Sequence, residues 1–219
     1  MTTRSYPFLW LLVFVSISCT QHEERRATTT DTPPISSADA LEYRYQLQAL
    51  VNADQEDRQR IFHVFREHGF RSTQADTANR WLMQRDSLHL QQFRKLEQRY
   101  GWPRVAEVGT EGVSNVYLLL QHAPDSVHTR YLPRIEQAYQ RGELSGQDYA
   151  TYLDRVLVQH GLKQRYGTQY QRRELPAGGT EDYLDSIEDM AHVEQRRRAV
   201  GLDSLTPRLK RGTLVLKAE

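Results

Sequence analysis

From Leu41 onward, apolar side chains return every three or four positions, the spacing of one face of an α-helix. No other feature of the chain constrains its fold as strongly. Leu41, Tyr45, Leu47, Leu50 and Val51 set the first stripe, and Ile61, Phe62 and Phe65 carry it to a stop at Gly69. Thr73 to Asp76 offers capping side chains for a second long helix bearing Trp81, Leu82, Leu88, Leu90, Phe93, Leu96 and Tyr100. Gly101-Trp102-Pro103 breaks that helix, because proline pushes the residue before it into extended geometry. After Gly109, Val113 to His122 is apolar on most sides and is expected to be the central buried helix. Asp125-Ser126 caps a further helix reaching Arg141-Gly142. Ser145 or Gly146 opens another that carries Tyr149, Tyr152, Leu153, Val156 and Leu157 and ends at Gly161.

The texture changes at Lys163. Residues 163–173 alternate and contain Gly167 and Thr168, which reads as a strand or hairpin arm, with Pro176 to Gly179 as a turn. Helical spacing returns from Ile187 to Val200, and Leu214 to Leu216 suggests a short strand or a frayed end. The expected class is mainly α: a single helical-bundle-like domain with a short β-hairpin near residues 163–176. A chain of 219 residues, 38% hydrophobic and 26% charged, suits one globular domain, and its mean hydropathy of −0.72 calls for a very polar surface.

The N-terminal residues read differently. Arg4 and the amine precede Phe8 to Ile17, an apolar run of signal-peptide length that is too short to span a bilayer. Ser16-Ile17-Ser18-Cys19 follows, similar to a bacterial lipoprotein signal, with the chain's one cysteine where the lipid would be attached. Residues 1–18 are therefore expected to be a signal peptide, and Cys19 to carry the acyl chains that anchor the protein. Processing removes one of the 29 basic residues, Arg4, and none of the 28 acids, leaving a formally neutral chain. Residues 19–38, rich in Thr, Ser and Pro, read as a disordered tether, and residues 39–219 as the folded domain. Thr20 after the cysteine favours the outer membrane, on its periplasmic or its outer face.

Polar residues inside the apolar runs are the candidates for chemistry. Asp54 and Arg58, four apart, share a helix face and can pair. Gln121-His122 ends the most apolar helix, where unpaired polar groups cost about 1–3 kcal/mol. Histidine is the side chain that titrates near neutrality, so His122 is the candidate general acid–base. Asp154 and Arg155 point about 100° apart on their helix, so one of them reaches inward and needs a partner such as Gln164, Gln169 or Arg58. An inward Asp154 beside His122 would be the orienting carboxylate. Tyr166-Gly167-Thr168-Gln169 supplies hydroxyl and amide groups suited to ligand hydrogen bonds or to a tight hairpin.

These residues also form an ordered series. Asp54-Gln55-x-x-Arg58, Trp81 and Asp86, Gly101-Trp102-Pro103, Gly109, Gln121-His122, Tyr131-Leu132-Pro133-Arg134, Asp154-Arg155-Val156, Gln164-x-Tyr166-Gly167-Thr168-Gln169 and Ile187-Glu188-Asp189 follow one another, with Val193, Arg196-Arg197 and Gly201-Leu202 last. Over roughly residues 45–207 the chain resembles a bacterial domain of unknown function found in secreted, lipid-anchored and cytoplasmic proteins. The resemblance implies a domain assignment and no particular reaction.

Several absences narrow the function. There is no His-Glu-x-x-His, no paired cysteines and no calcium loop, and His63 and His68 fall on different sides of a helix, so no metal and no cofactor is expected. There is no nucleophile elbow and no phosphate-cradling loop. Near-neutral charge gives nucleic acid no footing. The expected partners are the membrane, through Cys19, and an envelope protein or small ligand. The leading expectation is a binding module whose polar pocket draws on Asp54, Arg58, Gln121, Arg155, Gln164, Tyr166 and Gln169. The alternatives are an envelope scaffold and a hydrolase-like enzyme using His122 with Asp154.

Overall fold

The computed structural model describes residues 35–174, 180–212 and 214–216. The expected signal peptide, Cys19 and the tether as far as residue 34 lie outside the described residues. The described chain is mainly α, as its periodicity predicts, with one small sheet. Among the described residues, no helix is long and apolar enough to cross a membrane.

Helix α1 (Ser37–His68) starts where the Ser36 hydroxyl accepts from the Asp39 N–H at 3.1 Å and ends at Gly69, whose φ of 80° few other residues tolerate. The short loop 69–72 turns the chain into α2 (Thr73–Tyr100), capped by Ser72. The buried stripe of α1 is Tyr43, Leu47, Leu50, Asp54, Asp57 and Ile61, spaced alternately by four and three residues. The stripe therefore lies beside the one drawn from Leu41 and Tyr45. Tyr43 is 0% exposed and Tyr45 72%, and Phe62 and Leu88 also face solvent. Apolar residues stand on both sides of α1, and only packing against α2 and the next helix selects which side is covered.

That next helix, α3 (Val105–His122), is kinked at Gly109 and buries Val113, Val116, Leu119 and Leu120. Helices α4 (Asp125–Gln140) and α5 (Gly146–Gln159) pack on each other and close the core. Aromatic rings occupy the junctions: Tyr43 stacks on Tyr100 at 4.9 Å, and Phe93, Trp102 and Tyr131 meet in a mutual cluster.

The hairpin lies later than expected. Residues 163–169 form no strand, because their backbone N–H groups turn onto a buried side chain of α5. Strand β1 (Tyr170–Glu174) pairs antiparallel with β2 (Thr180–Leu184), and β3 (Val215–Leu216) adds to β2 in parallel. The helical spacing after Ile187 resolves into a 3₁₀ turn at Met190–His192 and α6 (Val193–Ala199), followed by α7 (Thr206–Lys210). Leu184, Val193, Leu205 and Leu214 make a second, smaller apolar cluster beneath the sheet.

Candidate functional site

Midway along the α1–α2 hairpin the apolar stripe becomes ionic. On α1, the positions after Leu50 in the same stripe are Asp54 and Asp57, exposed by only 1% and 4%. On α2, the positions before Phe93 bring in His89 and Asp86. Two charged clusters result. In the first, Arg58 donates from Nη2 to Asp54 Oδ1 at 3.1 Å and to Asp86 Oδ1 at 2.7 Å, and from Nε to Asp54 Oδ2 at 3.2 Å. His122, at the end of α3, places Nδ1 2.9 Å from Asp54 Oδ2 and 2.8 Å from Arg58 Nε. In the second, Arg85 donates to Asp57 Oδ2 at 2.6 Å, and His89 Nε2 lies 3.7 Å from the same oxygen and 3.5 Å from Arg85 Nη2.

These environments separate the carboxyls. Burial works against ionising Asp54, but the hydrogen bonds and charges of His122 and Arg58 outweigh it and hold the group below its ordinary value. Burial dominates at Asp86 and pushes it up to about 6, despite the guanidinium beside it. Burial also lowers His89, so its ring is neutral near pH 7.

The first cluster opens onto a cleft of about 1090 Å³ lined by Arg58, Asp86, Gln121, His122 and Arg155, with Met83 and Leu88 on its apolar side. His122 Nε2 makes no protein hydrogen bond among the described residues. Nδ1 is shared: it accepts from Arg58 Nε–H at 2.8 Å in one tautomer and donates to Asp54 Oδ2 at 2.9 Å in the other, and in the second Nε2 offers a lone pair to the cleft. Arg155 enters from α5. In the amide orientation that satisfies both groups, Gln121 Oε1 accepts from Arg155 Nη2 at 2.8 Å and from Nε at 2.9 Å. Among the described residues no carboxylate lies within ion-pair distance of Arg155, and burial draws the guanidinium down from its ordinary value. A second groove, of about 620 Å³ beside Ile61, Val64 and Trp81, is more apolar.

The structure thus gathers Asp54, Arg58, Gln121, His122 and Arg155. It places Asp154, Gln164, Tyr166 and Gln169 elsewhere. Asp154, 0% exposed, accepts from the backbone N–H of Arg165 at 2.7 Å, Tyr166 at 3.1 Å and Thr168 at 3.0 Å, and from the Thr168 hydroxyl at 3.0 Å. Gln164 donates to the carbonyls of Gln169 and Asp185 and accepts from the Gln169 N–H. Arg197 closes the loop from the other side by donating to the carbonyls of Tyr166 and Gly167. The Tyr166–Gln169 segment forms no hairpin and wraps a buried carboxylate as a clasp. The expected pairing of Asp154 with His122 gives way to that of Asp54 with His122, because the loop amides use the Asp154 carboxylate.

Asp57, Arg85 and His89 join the site although none was singled out in the sequence, and Asp86 joins it although it stood there only in the ordered series. Following the Tyr43–Leu47–Leu50 stripe forward lands on Asp54 and Asp57. Following Tyr100–Leu96–Phe93 backward lands on His89 and Asp86. Charged residues at buried stripe positions of two neighbouring helices were the available signal.

Fold and cleft together define a helical domain whose core carries an ionic layer open on one side. Residues 42–215 match the family of unknown function DUF6624, and the chain belongs to that family. No curated protein and no solved structure matches it.

Proposed function

We propose that the cleft between α2, α5 and the end of α3 binds a small ligand bearing a carboxylate or phosphate, and that the protein presents this site at the cell envelope from a lipid on Cys19. The observation that carries the binding reading is Arg155. Among the described residues its half-buried guanidinium is hydrogen-bonded to a neutral amide alone, with the Asp125 carboxylate of the same cleft beyond ion-pair distance, and its planar fork matches an anion bidentately. Arg58 and His122 stand on the same wall, while Asp86 disfavours a second negative group at the far end. The ligand therefore joins an anionic head to a polar or cationic body, as a short peptide C-terminus does.

Titration calorimetry of the full chain in detergent with inorganic phosphate, simple carboxylates and short peptides with free or amidated C-termini tests this. Saturable binding that Arg155→Ala weakens tenfold or more, about 1.4 kcal/mol, supports it. Peptides that bind equally well when amidated, with no response to phosphate or carboxylates, refute it. For the anchor, Cys19→Ala should release the protein from the membrane fraction.

A second reading rests on the His122–Asp54 pair, whose geometry is that of a general base oriented by a carboxylate. It requires turnover that His122→Ala abolishes.

A further inference from the structure

We infer that Asp54, Asp86 and His89 form a binding site for one first-row divalent metal ion at the floor of this cleft. One ligand atom from each of the three residues converges to within 4.8 Å of the others. A cluster of acids alone would not justify the inference, and His89 supplies the independent observation. Its ring is 3% exposed, and Nδ1 has no hydrogen-bond partner although it is buried. That nitrogen points at Asp54 Oδ1 from 4.0 Å, too far for a hydrogen bond. Two ligands of a tetrahedral ion with bonds of about 2.0–2.1 Å lie about 3.3–3.4 Å apart, so a shift of roughly 0.6 Å brings both into coordination.

The surroundings of His89 have the form that metal-binding histidines use. Nε2 lies 3.7 Å from Asp57, whose carboxylate is itself fixed by Arg85 at 2.6 Å, and 3.5 Å from Arg85 Nη2. In the tautomer with its proton on Nε2 toward Asp57, which a bound ion would select, Nδ1 keeps its lone pair. Three carboxylates, Asp54, Asp57 and Asp86, stand in this layer against two guanidiniums, Arg58 and Arg85. Arg58 Nη2 already bonds Asp54 Oδ1 at 3.1 Å and Asp86 Oδ1 at 2.7 Å, so the ion takes Asp86 through Oδ2, which makes no hydrogen bond among the described residues, and shares Asp54 with the guanidinium. Asp86 lines the cleft, so the ion has an entry path and an open coordination position there. One imidazole with two carboxylates suits Zn²⁺, Mn²⁺ or Fe²⁺ better than Ca²⁺. The inference does not rest on anion binding by Arg155.

The test is to strip the full chain with chelator, reload it with Zn²⁺, and measure bound metal per chain, with Co²⁺ absorption as the report of nitrogen coordination. One equivalent of Zn²⁺, a raised melting temperature and a Co²⁺ ligand-field band are expected. His89→Gln and Asp86→Asn should each weaken binding roughly tenfold or more. Should His89→Gln fail to fold, Asp86→Asn, at the cleft surface, decides the matter. Arg155→Ala should leave the metal content unchanged, so that loss of anion binding and loss of metal are separate results. Sub-stoichiometric metal after reloading, or full binding in Asp86→Asn, overturns the inference.

Discussion

His122 Nδ1 lies 2.9 Å from Oδ2 of Asp54, a residue 68 positions earlier in the chain. The contact joins the end of α3 to the middle of α1 and presents the other ring nitrogen to the cleft. Asp54 also holds Arg58, so one buried carboxylate fixes both basic groups on that wall. Removing it should disturb fold and site together. Asp54→Ala is expected to cost about 1–3 kcal/mol, since it removes the shared partner of Arg58 and His122 while Asp86 still holds Arg58. A double-mutant cycle of Asp54→Ala with His122→Ala, read by denaturant unfolding, should return a coupling of about 0.5–3 kcal/mol. Additive losses would show that the pair does not interact.

The neighbours Asp154 and Arg155 divide between two tasks. Asp154 serves the clasp and Arg155 the cleft, so their substitutions should separate stability from binding. Asp154→Asn sets an amide N–H₂ against backbone N–H donors and is expected to lower stability by about 2–4 kcal/mol. Arg155→Ala should leave the unfolding midpoint nearly unchanged and remove anion affinity. Chemical denaturation and calorimetry on the two variants check this.

Gly167 sits within the clasp at a φ of 67°, and a Cβ there would meet Ile187 Cδ1 at 2.7 Å. Gly167→Ala combines backbone strain with overpacking and should cost about 2–4 kcal/mol. Gly142, also at positive φ but with nothing within 4 Å of an added Cβ, should lose only the strain portion, about 1–2 kcal/mol. Comparing the melting temperatures of the two alanine variants isolates the packing contribution.

Glu143 ties the start of α3 to the loop before α5. It accepts from Arg104 Nε at 2.8 Å and Arg141 Nε at 2.6 Å. Burial opposes its ionisation, but the two guanidiniums prevail and hold its carboxyl below the ordinary value of 4.5. Because the folded state holds the proton less tightly than the unfolded chain, this stability is complete above pH 4.5 and drains away as pH falls through the folded-state value. Glu143→Gln should therefore lower stability at pH 7 and flatten the acid limb of a stability-against-pH curve. An unchanged acid limb would show that the bridge contributes nothing.

By itself, the sequence determined the mainly helical class, the breaks at Gly69, Gly101-Trp102-Pro103, Gly142 and Gly161, and the pairing of Asp54 with Arg58. Period, glycine and proline are local properties of the chain, and residues four apart on a helix must be neighbours. Only the tertiary structure decided which stripe of α1 is covered, because Leu41–Tyr45 and Tyr43–Leu47 are equally good helical faces until α2 and α3 choose between them. The same holds for His122, which meets Asp54 rather than Asp154. Both carboxylates point inward, and a loop of backbone N–H groups from residues 165–168 reaches Asp154 first. The Asp57, Arg85, Asp86 and His89 layer was written in the stripe spacing, but as charges at positions where a helical pattern leads one to expect apolar side chains. Its meaning depends on which charges face one another across the hairpin, and helix packing sets that.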